Sequence, residues 1–93
     1  ELDVIFMAKN KFHIIECKTI NFEIPENRDK LQSYLDKLKS LKDYGGLLTK
    51  VCLVSFYPIP QATKRRAEKD NIEIIDDYRI KNLKERIQNW IKK

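Results

Sequence analysis

Apolar and polar positions alternate in two short runs at the start of the chain, and the period of the pattern changes several times before its end. Leu2 to Ala8 and Phe12 to Lys18 are rich in Val, Ile and Phe and hold no Gly or Pro; the polar pair Lys9-Asn10 separates them. Such runs favour strands, and Asn accepts the positive φ of a tight turn, so residues 2–18 predict a β-hairpin. INFEIPEN then breaks the strand at Pro25 and offers Asn27 as a helix cap. Leu31, Tyr34, Leu35, Leu38 and Leu41 recur at spacings of three and four, the apolar stripe of a helix that Gly45-Gly46 ends. Asp29, Lys30, Asp36, Lys37 and Lys39 fall mostly on the rest of its surface.

Lys50 to Phe56 is nearly continuous in apolar residues, as a strand covered on both faces requires. Tyr57-Pro58-Ile59-Pro60 makes a stiff exit that forbids further regular pairing. Gln61 to Asp70 reads as a short helix stopped by Asn71, and Ile72 to Ile75 as a brief strand. Asp76 or Asp77 is placed to cap a last helix with Ile80, Leu83, Ile87, Trp90 and Ile91 on its apolar face. Strand, strand, helix, strand predicts an α/β fold with a mixed sheet, because a strand after a helical crossover commonly lies parallel to an earlier one. No repeat, low-complexity tract or linker divides the chain, so one domain is expected over residues 1–93.

Composition adds bounds. Ninety-three residues, 35% charged and 42% hydrophobic, describe a small globular domain near the lower range for a self-sufficient core. No run reaches the length of a membrane span, so no membrane partner is expected. The chain starts at Glu1 inside a predicted strand, so a fragment of a longer polypeptide is expected. Cys17 and Cys52 each lie in an apolar strand without metal-ligand spacing, which fits small buried thiols in a reducing cytoplasm. The net charge of +5 is uneven: −1 over residues 1–28, +2 over 29–60 and +4 over 61–93. A basic body around a locally acidic hairpin suits an enzyme that holds a polyanion, although many basic proteins bind none. Lys64, Arg65, Arg66 and Lys69 are candidate phosphate contacts or simply a solvated helix face.

The hairpin carries the chemistry. With Lys9 and Asn10 at the turn, Asp3 lies directly opposite Glu16, and alternation puts Glu1, Asp3, Glu16 and Lys18 on one face. His13, Ile15 and Cys17 take the other face, which excludes His13 as a ligand or base. Opposed Cβ atoms are roughly 5 Å apart, and at an effective dielectric of about 20 two carboxylates there repel by on the order of 3 kcal/mol. A hard divalent cation such as Mg²⁺ or Mn²⁺ offsets that repulsion, and Mg²⁺ commonly takes one or two protein carboxylates and keeps several waters. Lys18 then adds an ammonium beside the ion, a set suited to phosphodiester cleavage. The alternative is an edge ion-pair cluster in which Lys18 neutralises one acid. Glu1 is either a further metal contact or an ion-pair partner that positions Lys18.

Asp3 followed by Glu16-Cys17-Lys18 resembles the D-x(n)-E-x-K signature of the PD-(D/E)xK nuclease superfamily. ELDVIF with a short hairpin to IIECKT, a helix ending in LKSLKDYGGLLTK and the strand VCLVSF resemble, more narrowly, the C-terminal nuclease domain of CARF-linked ancillary nucleases of type III CRISPR systems. That resemblance implies a restriction-endonuclease-like three-layer sandwich with a central mixed sheet, here without the helix usually placed before the first acid. It implies a metal-dependent endonuclease acting on DNA or RNA in antiviral defence, with Asp3 and Glu16 as metal ligands and Lys18 as the water-orienting residue. It also implies a homodimer within a larger protein whose sensor domain, absent from this chain, binds cyclic oligoadenylate. The first helix then lies near the site, making Gln32, Tyr34 and Lys37 candidate phosphate or water contacts, with Tyr34 better explained as core. A non-catalytic nucleic-acid-binding or dimerisation module of the same fold, or a repair or restriction nuclease, is the alternative.

Overall fold

The hairpin forms in the predicted register. The computed structural model describes residues 3–76 and 82–93, with the backbone alone described at Asp3 and Leu47. Strands β1 (Asp3–Ala8) and β2 (Lys11–Lys18) pair antiparallel, Asp3 opposite Glu16 and Ala8 opposite Lys11. Lys9 at φ 52° and Asn10 at φ 63° are both left-handed, the turn whose twist matches two flanking strands.

After a single 3₁₀ turn at Pro25–Asn27, helix α1 (Arg28–Gly45) crosses over to β3 (Thr49–Ser55), which lies parallel to β2. Helix α2 (Gln61–Lys69) makes a second crossover to β4 (Ile72–Asp76), parallel to β3, and α3 (Leu83–Lys92) follows. The four strands stand in the order β1-β2-β3-β4, a mixed sheet.

Alternation along the strands divides the core between two faces. Val51, Leu53 and Ile72 point toward α1 and α2, where they bury Leu31, Leu35, Leu38 and Ala67. Ile15, Cys52, Val54 and Ile75 point the other way and pack on Trp90 of α3, with Leu83, Ile87 and Ile91 beside it. Helices thus cover both faces of the sheet, a three-layer sandwich. The α1 layer stops short of the β1 edge, and Ile5 and Met7 remain exposed there.

Several local expectations are corrected. Asn27 occupies the N-cap of α1 but makes no side-chain cap; its amide donates instead to the Asn21 carbonyl at 2.9 Å and closes the loop before the helix. Leu41, the last position of the apolar stripe, is exposed, because the buried side chains of α1 end at Leu38. Asp76 caps no helix: β4 continues through it, and α3 begins at Leu83 behind a left-handed Asn82. Asp77 and Ile80 lie outside the described residues.

Candidate functional site

Glu16 is the centre of the polar cluster. It sits near the C-terminal end of β2 on the face that α1 covers, and its side chain is 3% exposed. A buried carboxylate is strongly disfavoured unless it is paired. Two ammonium groups meet it at one oxygen: Lys18 Nζ lies 3.2 Å and Lys37 Nζ 3.1 Å from Oε1. The second oxygen, Oε2, is buried without a hydrogen-bond partner among the described residues.

The two lysines differ. Lys18, 11% exposed, lies two residues along the same strand and rests over the Tyr34 ring, 4.2 Å from its centroid. That cation–π contact and the ion pair hold the ammonium from two sides. Lys37 reaches Glu16 from α1, with its side chain 51% exposed. Tyr34 also packs edge-on against Phe22 at 6.1 Å, so it joins the core while supporting Lys18.

The structure thus brings together Glu16, Lys18 and Lys37, and the backbone register adds Asp3 directly across from Glu16. The Asp3 side chain and the whole of Glu1 lie outside the described residues. Gln32 is turned elsewhere: its amide donates to Asp36 at 2.9 Å and its oxygen accepts from Arg66 at 3.0 Å, a contact between α1 and α2. Lys64 pairs with Asp76 at 2.8 Å, while Arg65, Arg66 and Lys69 are exposed along α2. Lys64 and Arg66 therefore serve in part to tie α2 to its neighbours.

His13 lies on the opposite face, as alternation requires. It is fully buried, stacked on Phe6 at 5.1 Å and edge-on to Trp90 at 5.1 Å, with Nδ1 donating to the Lys11 carbonyl at 3.1 Å. Burial lowers its pKa, with Lys50 and Lys11 adding to the effect against the backbone hydrogen bond. Cys52 is buried and its thiol is pushed far up by desolvation, so it stays protonated.

Two contacts escaped the sequence. Lys37, named from the family resemblance only as a phosphate or water contact, pairs with Glu16 across 21 positions, and nothing in its place on a solvated helix face signals that pairing. Asp76 is buried and braces the C-terminal end of the sheet: Oδ2 accepts from the Ile59 N–H at 2.6 Å and Oδ1 takes Lys64. Its place after a short apolar strand suggested a cap just as readily.

Chemically, the cluster offers one carboxylate oxygen unsatisfied among the described residues, a second carboxylate-bearing residue across the strand pair and two ammonium groups. Among the described residues no group of three or more His, Cys, Asp and Glu is arranged to hold a metal ion. No described helix is long and apolar enough to cross a membrane.

A family model for the Card1-like, endonuclease domain matches residues 1–93. The chain is similar to protein VC1899 from Vibrio cholerae: 36% identity and a TM-score of 0.77 over 95% of this chain, against its crystal structure. The match spans 22% of the length of that protein. No curated protein matches. With its mixed sheet between helical layers the fold is restriction-endonuclease-like. The whole-length family match, on a fold that sets Asp3 across from Glu16 and Lys18 beside it, shows that the chain belongs to the Card1-like endonuclease domain family, CRISPR-associated nucleases of the PD-(D/E)xK type.

Proposed function

We propose that the chain is the metal-dependent catalytic part of a larger nuclease, with Asp3 and Glu16 holding Mg²⁺ or Mn²⁺ and Lys18 acting on the attacking water. One observation carries this reading: Glu16 Oε2 is buried without a partner among the described residues, opposite a second acid in the strand register. A cation is a natural occupant of such a site, since a buried carboxylate oxygen needs a positive or hydrogen-bonding partner.

When bound, the ion supplies Lewis-acid polarisation of a phosphate oxygen and eases deprotonation of water. The protein residues do the rest. Glu16 Oε1 and the Tyr34 ring fix the Lys18 ammonium, which orients the water and places positive charge where the phosphoryl oxygens gain negative charge. The water oxygen forms the new bond to phosphorus, one ester P–O bond breaks, and the departing oxygen takes up a proton. The exposed Arg65, Arg66 and Lys69 supply phosphate contacts for a DNA or RNA strand. The parent protein, on this reading, is a cytoplasmic homodimer switched on by cyclic oligoadenylate through a separate sensor domain.

A non-catalytic nucleic-acid-binding or dimerisation module is favoured by one observation alone, the pairing of Glu16 with two ammonium groups that already offset its charge. Cleavage decides between them. Labelled DNA and RNA incubated with the chain and Mn²⁺ should be cut, with loss of at least about a hundredfold in rate for Glu16→Gln and Asp3→Asn, the usual scale for removing one electrostatic catalytic group. Cutting that persists in excess chelator, or at wild-type rate in either variant, overturns the proposal.

A further inference from the structure

We propose that Lys37 is a displaceable counter-ion of Glu16: it neutralises the carboxylate in the metal-free protein and, once a divalent ion takes Glu16, turns its ammonium onto the substrate phosphate. This inference rests on Glu16 being a metal ligand, as argued above.

Three cations compete for one carboxylate. Lys18 is tightly held, 11% exposed, between Glu16 and the face of Tyr34, on a strand paired on both sides. Lys37 is 51% exposed and meets the same oxygen, Oε1, from the middle of α1. A divalent charge arriving at Glu16 repels both ammonium groups. The half-exposed Lys37 is the one that yields, because it regains water as it moves, while Lys18 would leave a nearly buried place over the aromatic ring.

Displacement does not send Lys37 far. Its Cα is fixed in α1, in the turn between the buried Leu35 and Leu38. The flexible stem therefore keeps the ammonium within reach of the Glu16 carboxylate, and so of a phosphate that an ion held there would bind. Lys37 is in this sense a positioning residue for the phosphate and an internal competitor of the metal.

These two roles predict effects of opposite sign, which a loss of folding cannot imitate. In calorimetric titration with Mn²⁺ alone, Lys37→Gln and Lys37→Met should bind the ion about fivefold more tightly than wild type, the scale of a partly exposed ion pair. The gap should shrink at high salt, and Lys37→Arg should behave as wild type. Lys39→Gln removes the same charge from α1 at a lysine paired with Asp70, and should leave Mn²⁺ affinity unchanged. A fluorescent oligonucleotide, read by anisotropy at saturating Ca²⁺, should bind about fivefold more weakly to Lys37→Gln, with Lys37→Arg restoring it. Equal or weaker Mn²⁺ binding in both neutral variants, with wild-type binding still lost in Glu16→Gln, overturns the role of Lys37 and leaves the metal site standing. Absence of Glu16-dependent Mn²⁺ binding in wild type and in both neutral variants overturns both.

Discussion

The two oxygens of Glu16 have different surroundings, and this asymmetry is the chemical content of the site. Oε1 holds two ammonium groups, while Oε2 is buried and unmatched among the described residues. Strand alternation made Glu16 and Lys18 legible from the sequence, because residues two apart on a strand share a face wherever the strand lies. The family resemblance named Lys37 as a phosphate or water contact, but its meeting with Glu16 was not legible, because it depends on how α1 crosses the sheet. His13 shows the converse, since pleating alone removed it from the site. It also carries a pH prediction. Its Nδ1 proton is committed to the Lys11 carbonyl, so acid would add a proton at Nε2, which is buried without a partner among the described residues. The folded pKa lies below the ordinary 6.5, so the unfolded chain binds more protons as pH falls below that value, and stability is lost in that window. Thermal melts between about pH 7.5 and 5 should show wild type losing stability relative to His13→Phe, which keeps an aromatic ring between Phe6 and Trp90 and cannot titrate. Parallel curves would remove His13 from the account of acid stability.

At the scale of elements, local chemistry settled some boundaries and tertiary contacts settled others. The hairpin and α1 were readable because turn residues and the three-four stripe act within a few positions. The start of α3 was not, since Asp76 has a stronger claim on the Ile59 amide and Lys64 than on a helix end. The Gly45-Gly46 pair was read as the end of the helix, and of the two Gly46 has the positive φ, at 76°. Gly45 is needed for space: a Cβ there would stand 2.0 Å from Thr49 Oγ1 and 2.9 Å from Thr49 Cβ. Gly45→Ala should therefore destabilise the fold by about 1–3 kcal/mol, the usual range for overpacking. Adding Thr49→Ala removes the hydroxyl contact but not the Cβ contact, so the double variant should recover part of the loss in a denaturant melt. Full additivity of the two changes would place the strain elsewhere.

For the molecule as a whole, the two crossovers place α1 and α2 on one face and α3 on the other, leaving the acid pair on the edge hairpin beside α1. The polar set on that hairpin could be read in advance because the hairpin is local. The layer that closes over it could not, beyond its helical period, since a hydrophobic stripe does not say which sheet face it will cover. Excess positive charge lies mostly in the second half of the chain, on the helices that flank the sheet. The membership of the Card1-like endonuclease family and the buried, half-satisfied Glu16 together centre the account on one claim, that Asp3 and Glu16 share a divalent ion. Titration of the chain with Mn²⁺, following free Mn²⁺ by electron paramagnetic resonance, tests it most directly. The predicted result is one site per chain that is lost in both Asp3→Asn and Glu16→Gln; undiminished Mn²⁺ binding in either variant would contradict it.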